Sequence, residues 1–283
     1  MMRSGFVAVV GRTNVGKSSL INAIAEARLS TVSWHKNTTR RAVRVIVREP
    51  EVEMVLVDTP GLDVGHDQLA ARLFAVTEGE IEGADFTLMV LDATKPLSDR
   101  ERGVLGQLSP DDMVVINKVD LVHPGTLLPK LQELSSWVVS DYLLASAKTG
   151  EGVVELREIL SGHLPEGGPM YDPETKVDLP LRIWIAEVVR DELLNGLREE
   201  VPHSVECRVI DWDGDDEEEE VPVTIFVERT SQKGILIGEG GARLRSVRHR
   251  VNRRLRGRYR VRLEVKVAKE WSRDSRMLDE FEI

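Results

Sequence analysis

"GRTNVGKSS", which reads Gly11, Arg12, Thr13, Asn14, Val15, Gly16, Lys17, Ser18, Ser19, follows the apolar run "FVAVV" and opens "SLINAIAEA", a stretch with helical apolar spacing. It matches G-x-x-x-x-G-K-[ST] in the strand-to-helix setting that the pattern requires. Glycines let the backbone aim several N–H groups at one anion, and the helix N-terminus adds a favourable dipole. Lys17 can then reach the β and γ phosphates of a nucleotide, and Ser18 offers a hard oxygen to Mg²⁺.

Outward from this loop, short apolar runs alternate with helical patterns: "RAVRVIV", "VEMVLVD", "FTLMVLD", "MVVIN" and "DYLLAS" read as strands. The alternation predicts an α/β domain over residues 1–164 with a mostly parallel, six-stranded sheet. "HLPEGGPMYDPETKVDLP" has no periodicity and is read as a linker, residues 165–179. Residues 180–283 form a smaller α+β domain. A helix, "LRIWIAEVVRDELLNGL", leads to two strands, "HSVECRVIDW" and "VPVTIFVER", around "DGDDEEEE". Then "GARLRSVRHRVNRRLRG" sets Leu244, Val247, Val251 and Leu255 on one helical face, opposite arginines, before the alternating strand "RYRVRLEVKVAK". The residues alone give the order α-β-β-α-β.

Two domains suit 283 residues. The net charge of −10 conceals a split, because Arg229 to Arg276 carries sixteen Lys and Arg against four Asp and Glu, a net of +12 that leaves −22 elsewhere. One basic module on an acidic body points to a localised anionic partner, foremost a nucleic acid. No run approaches the ~20 apolar residues of a membrane span, and the N-terminus enters a strand at once, so a cytoplasmic protein is expected. Cys207 is the single cysteine, which excludes an internal disulfide or a cysteine metal site. "DWDGDDEEEE" lacks the glycine and glutamate of a calcium loop at its sixth and twelfth positions, where Asp216 and Pro222 stand, and is read as a solvated acidic loop.

Three further stretches end successive strands, where open α/β sheets bind ligands. They are "DTPG" (Asp58, Thr59, Pro60, Gly61), "NKVD" (Asn117, Lys118, Val119, Asp120) and "SAK" (Ser146, Ala147, Lys148). Asp58 can hold Mg²⁺ through water, and the Gly61 amide can meet the γ-phosphate. With the opening loop, these stretches resemble the P-loop GTPases. The resemblance implies that Asp120 accepts from the guanine N1 and amine groups, Asn117 faces the opposite edge, Lys118 lies over the base and the Ala147 amide donates to the guanine oxygen. In "HKNTTRR" it implies a switch I threonine as a Mg²⁺ ligand, Thr39 first and Thr38 as the alternative, so that Lys17, Thr39 and Gly61 carry catalysis. Asn14 resembles the asparagine with which potassium-activated GTPases hold K⁺. Leu62 stands where a water-orienting glutamine stands in Ras-like proteins, so intrinsic hydrolysis is expected to be slow.

"KGILIGEGGARLRSV" holds a G-x-x-G, Gly238, Glu239, Gly240, Gly241, before the basic helix. In a KH domain such a loop lets a nucleic-acid backbone approach beside a groove for about four bases. The expected RNA contacts are Lys233, Ile237, Gly238, Glu239, Gly240, Gly241, Arg243 and Arg245, with the cations meeting phosphates. Taken whole, "GRTNVGKSSLIN", "NTTR", "DTPGL", "NKVD", "SAKTGEG" and this loop resemble the Era family, bacterial GTPases with a C-terminal type II KH domain of the αββααβ order. Two departures are Lys36-Asn37 before the switch threonines and Glu239 within the loop. The resemblance implies binding of 16S rRNA near its 3′ end, assistance to the 30S subunit, a monomer, and a cytoplasmic location with peripheral contact at the inner face of the cell membrane. The rival reading is a GTPase whose basic domain docks on membrane lipid or a protein.

Overall fold

The computed structural model describes residues 1–27, 40–63, 67–137, 139, 141–195, 204–212 and 220–283. They form two compact units, one built mainly from residues 1–178 and the other mainly from Leu179–Ile283. In the first, β1 (Arg3–Val10), β2 (Val43–Glu49), β3 (Val52–Asp58), β4 (Phe86–Asp92), β5 (Met113–Asn117), β6 (Asp141–Leu144) and β7 (Val177–Asp178) make one sheet in the order β6-β5-β4-β1-β3-β2-β7. It is parallel except at β2, which runs antiparallel to both β3 and β7. Every residue of β4 and β5 is buried, as expected for parallel strands covered on both faces. The covering helices are α1 (Lys17–Ile24), α2 (Gln68–Gly83), α3 (Asp99–Leu105), α4 (Leu128–Leu134) and α5 (Val153–His163). Ser98 and Glu101 start α3 with a reciprocal capping box.

The seventh strand corrects the linker reading, since residues 165–178 pack along the first unit. Ser4 N–H donates to Pro165 O at 3.1 Å and Gly167 N–H to Met2 O at 3.1 Å. Farther on, the buried Glu53 carboxylate accepts from the Met170 and Tyr171 amides at 2.6 and 3.1 Å. Arg48 pairs with the other oxygen of Glu53 at 2.8 Å and donates to the carbonyls of Tyr171, Asp172, Pro173 and Thr175. An apolar pattern could not reveal this segment, because two side chains on neighbouring strands hold it by its main chain.

In the second unit, α6 (Leu181–Leu194) is followed by β8 (Val205–Val209), β9 (Glu220–Val227), α7 (Thr230–Ile237), α8 (Ala242–Arg254) and β10 (Arg260–Val267). The sheet order is β10-β9-β8, with β9 parallel to β10 and antiparallel to β8. This α-β-β-α-α-β order contains a helix, α7, that the residue pattern alone had not separated from a turn. It has eight residues, with a glycine and two isoleucines among them, too short and too poor in helix formers to show a period. Val188, Val189, Leu236, Val247 and Val251 share a core with Cys207, Val223, Ile225 and Val265. After β10 comes α9 (Ser275–Glu280), and Phe281 closes on Phe226 and on the fully buried Trp271. No helix among the described residues is long and apolar enough to cross a membrane.

Arg48→Ala is expected to destabilise the protein by about 3 kcal/mol, the low end for breaking a buried ion pair, because Glu53 loses its cation but keeps two amide donors. Urea denaturation measures the loss, and faster chymotryptic cleavage at Tyr171 shows that the 165–178 strap has come free.

Candidate nucleotide site and nucleic-acid interface

β1 stands between β3 and β4, so the chain leaves the sheet in opposite directions on its two sides, and the crevice lies at its carboxyl end. Two glycines of the phosphate loop are dictated by close approach. A Cβ on Gly11 would lie 2.3 Å from Val90 O, and one on Gly16 would lie 2.3 Å from Asn117 Nδ2. Asn14 adopts a left-handed conformation, φ 61°. Lys17 Nζ donates to Gly11 O at 3.0 Å and Arg12 O at 3.2 Å, inside the loop it serves.

Ser18 Oγ donates to Asp58 Oδ2 at 2.5 Å, with Asp58 fully buried at the end of β3. An alcohol and a carboxylate side by side are the hard oxygen set that Mg²⁺ takes, so these residues fit the ion. Thr39, with Thr38, His35, Lys36 and Asn37, lies outside the described residues. Gly61 has no room for a side chain, since a Cβ would sit 2.8 Å from Thr13 N. Leu62 is buried in the core with Ala8, Met89, Leu91 and Val104, while its N–H donates to Gly11 O at 3.1 Å. The absent polar side chain is therefore a packed core residue.

At the base end, Asn117 is buried and engaged by protein on both sides. Its Nδ2 donates to Val15 O at 2.9 Å, and its Oδ1 accepts from the Ala147 N–H at 3.0 Å. That amide, assigned by resemblance to the guanine oxygen, here ties two loops together. Ser146 Oγ donates to Asp120 Oδ1 at 2.7 Å, and Lys148 Nζ stands 3.9 Å from the other oxygen. Lys118, left-handed at φ 67°, donates to Asn14 O and, at 2.8 Å, to Asp92 Oδ2. Burial acts to raise the Asp92 carboxyl, but hydrogen bonds from Lys118 and Thr94 outweigh it and hold the group below the usual carboxylate range. Asp92 was missed from sequence. Its signal was position, since "LDAT" ends β4 between two strands already credited with ligand loops. Of the remaining motif residues, Thr59 Oγ1 donates to Val9 O at 2.9 Å and Val119 packs on the core, which leaves only their main chains for a nucleotide.

In the second unit, Gly238, Gly240 and Gly241 are all left-handed, at φ 72°, 54° and 77°. The chain turns from α7 into α8 within this loop, where a Cβ on Gly238 would lie 2.8 Å from Arg243 Cβ. Ile235 and Glu239 are exposed, and Lys233 and Ile237 half-buried. Arg245 is exposed and donates to Gly240 O at 2.6 Å. Arg243 departs from its expected phosphate role, because its Nη2 donates to Leu193 O at 3.2 Å and Asn195 O at 3.4 Å at the end of α6. Burial, and then the neighbouring Arg250, hold its guanidinium below its ordinary value. Arg250 pairs with Glu192 at 3.0 Å and Arg254 with Asp191. Three arginines of α8 thus grip α6. The helical pattern could not tell them from the exposed ones.

The family model of the 50S ribosome-binding GTPase matches residues 6–118, and that of the KH domain matches residues 200–272. GTPase Era of Acidimicrobium ferrooxidans is 47% identical over 98% of this chain and 96% of its own length. GTPase Era of Mycobacterium tuberculosis is 36% identical over 97% of each. The chain belongs to the Era family of GTPases. A crystal structure of Era in complex with MgGDPNP and nucleotides 1506–1542 of 16S ribosomal RNA superposes with a TM-score of 0.92, at 31% identity over 99% of both chains. Aquifex aeolicus Era bound to GDP and AlF4⁻, a single-site variant, gives 0.91 at 31% identity, again over 99% of both. The Era family likeness thus spans both units, joining a P-loop GTPase domain to a KH domain.

Burial pushes the Lys17 ammonium down to about 8, against the pull of Asp58 and Asp63. Lysine in an unfolded chain titrates near ~10.4. Between those values the unfolded state holds more protons, so the stability linked to Lys17 rises with pH there; below about 8 both states are protonated and the burial cost is constant. A triphosphate beside Lys17 favours the charged form, so GTP binding near pH ~8.5 is expected to take up a fraction of a proton. Calorimetry in buffers of different ionisation enthalpy measures the uptake, and Lys17→Met abolishes it.

Proposed function

We propose that the protein is a GTP-driven switch that binds 16S rRNA near its 3′ end through the Gly238–Gly241 loop and assists maturation of the 30S subunit. The observation that carries the RNA half is the loop itself. Three left-handed glycines bare the main chain at the start of α8, with Arg245 exposed beside them and sixteen cations between Arg229 and Arg276. The relative solved with 16S rRNA, alike over 99% of both chains, supports this choice of partner. In this reading the protein acts as a monomer in the cytoplasm.

In the crevice, backbone amides of Gly11 to Ser18 receive the phosphates, with Lys17 moving from the loop carbonyls to them. Ser18, Asp58 through water, and Thr39 would hold Mg²⁺, which supplies neutralising charge between the β and γ phosphates. Asp120, oriented by Ser146, reads guanine, and Lys118, held by Asp92, covers the base. Gly61 presents its N–H to the γ-phosphate. With Leu62 in the core, no side chain of residues 58–63 orients the attacking water, which makes unaided turnover slow. Asn14 would hold K⁺ beside the phosphates, where the ion would supply positive charge.

Two measurements test these readings. Turnover is expected to be faster in KCl than in NaCl, and equal rates remove the role given to Asn14. A single-stranded RNA matching the small-subunit 3′ end is expected to bind with steep salt dependence. Gly238→Asp, which collides with Arg243 and adds a carboxylate, weakens it by about tenfold or more, roughly the 1–3 kcal/mol of a specific contact. Preference for anionic vesicles, or RNA binding indifferent to this substitution, would favour membrane docking.

A further inference from the structure

Arg12, the second residue of the phosphate loop, turns its side chain to two carboxylates. Its Nε donates to Asp63 Oδ2 at 2.7 Å, and its Nη1 lies 3.7 Å from Glu101 Oε2. Glu101 is itself fixed, because that oxygen accepts from Ser98 N–H at 2.7 Å and Ser98 Oγ at 2.9 Å at the start of α3. A guanidinium stays charged in proteins, and here the Asp63 hydrogen bond outweighs burial and raises Arg12 further above its ordinary value.

This pair is the last of three successive ties between two segments. Gly61 lies against Thr13 with no space for a Cβ, Leu62 N–H donates to Gly11 O, and Asp63 meets Arg12. Arg100 from α3 adds a bond to Leu62 O at 2.6 Å. The main chain of Arg12 meanwhile accepts from Lys17 Nζ at 3.2 Å. One residue therefore touches the phosphate-binding lysine through its carbonyl and the segment bearing Gly61 through its side chain.

Where no side chain of that segment orients water, the placement of the Gly61 amide governs the transition state, and small displacements of such a group are costly. We infer that Arg12 is a positioning residue for GTP hydrolysis, clamping Asp63 against Glu101 so that the Gly61 N–H is held at the γ-phosphate. This rests on the reading of Gly61 given above. Nucleotide is retained by the loop amides and Lys17, which do not need the guanidinium, so the effect falls on turnover rather than on affinity.

The test is steady-state GTP hydrolysis and GDP affinity of the full chain with Arg12→Ala, Arg12→Lys and the exchange Arg12→Asp with Asp63→Arg. Arg12→Ala is expected to lower kcat by about 10- to 100-fold, with KM and GDP affinity within about twofold. Lysine cannot fork to both carboxylates, so Arg12→Lys falls between parent and alanine. Arg12→Asp alone, which sets a third carboxylate beside Asp63 and Glu101, is expected to lose at least as much as alanine, and adding Asp63→Arg recovers part of that loss. A parent chain without turnover overturns the functional reading and this inference together. A parent that turns over no faster than Arg12→Ala, or an alanine variant that loses GDP affinity in proportion to kcat, overturns the inference alone.

Discussion

Asn117 Nδ2 and Val15 O meet across 102 positions of chain, and the same carboxamide accepts from Ala147 on a third loop. The nucleotide crevice depends on this buried side chain. A parallel sheet delivers its loops to one edge, but loops are held to one another only by side chains. Without Asn117, the Val15 carbonyl and Ala147 amide would each lose a partner at a cost of about 1–3 kcal/mol. The same contact explains Gly16, since any side chain there would displace Asn117. A motif glycine is usually credited to phosphate approach, and here it is equally required by an asparagine a hundred residues on.

Charge works in opposite ways in the two units. In the first, buried or half-buried ion pairs assemble loops: Lys118 with Asp92, Arg12 with Asp63, Arg48 with Glu53. In the second, a count of cations overstates the surface offered to an anion. Arg243, Arg250 and Arg254 recur along α8 and bind carbonyls or carboxylates of α6. Arg245, by contrast, stays exposed beside the glycine loop. An arginine-rich helix can thus be a strut on one face and leave a cation exposed to solvent on another.

Leu62 and Arg12 illustrate how one short segment is held by packing on one side and by an ion pair on another. Leucine at that position fills the core beneath α3, which anchors the segment from below. The arginine anchors it from the side through Asp63. Packing and one ion pair thus fix the main chain from Gly61 to Asp63 against the phosphate loop.

The sequence by itself determined the chemistry of the crevice and the identity of both units. The glycine loop, "DTPG", "NKVD" and "SAK" depend on residue type at fixed local spacing, and buried parallel strands announce themselves as unbroken apolar runs. The short helix α7 escaped because eight residues carry too little period. What only the tertiary structure decided is which polar groups meet: Asn117 with two distant loops, Arg48 with the main chain of 171–175, Arg243 with α6, Arg12 with Asp63. Hydrogen bonds and ion pairs leave no periodic trace along a chain, because each is set by the meeting of two positions brought together only once the apolar layers have closed.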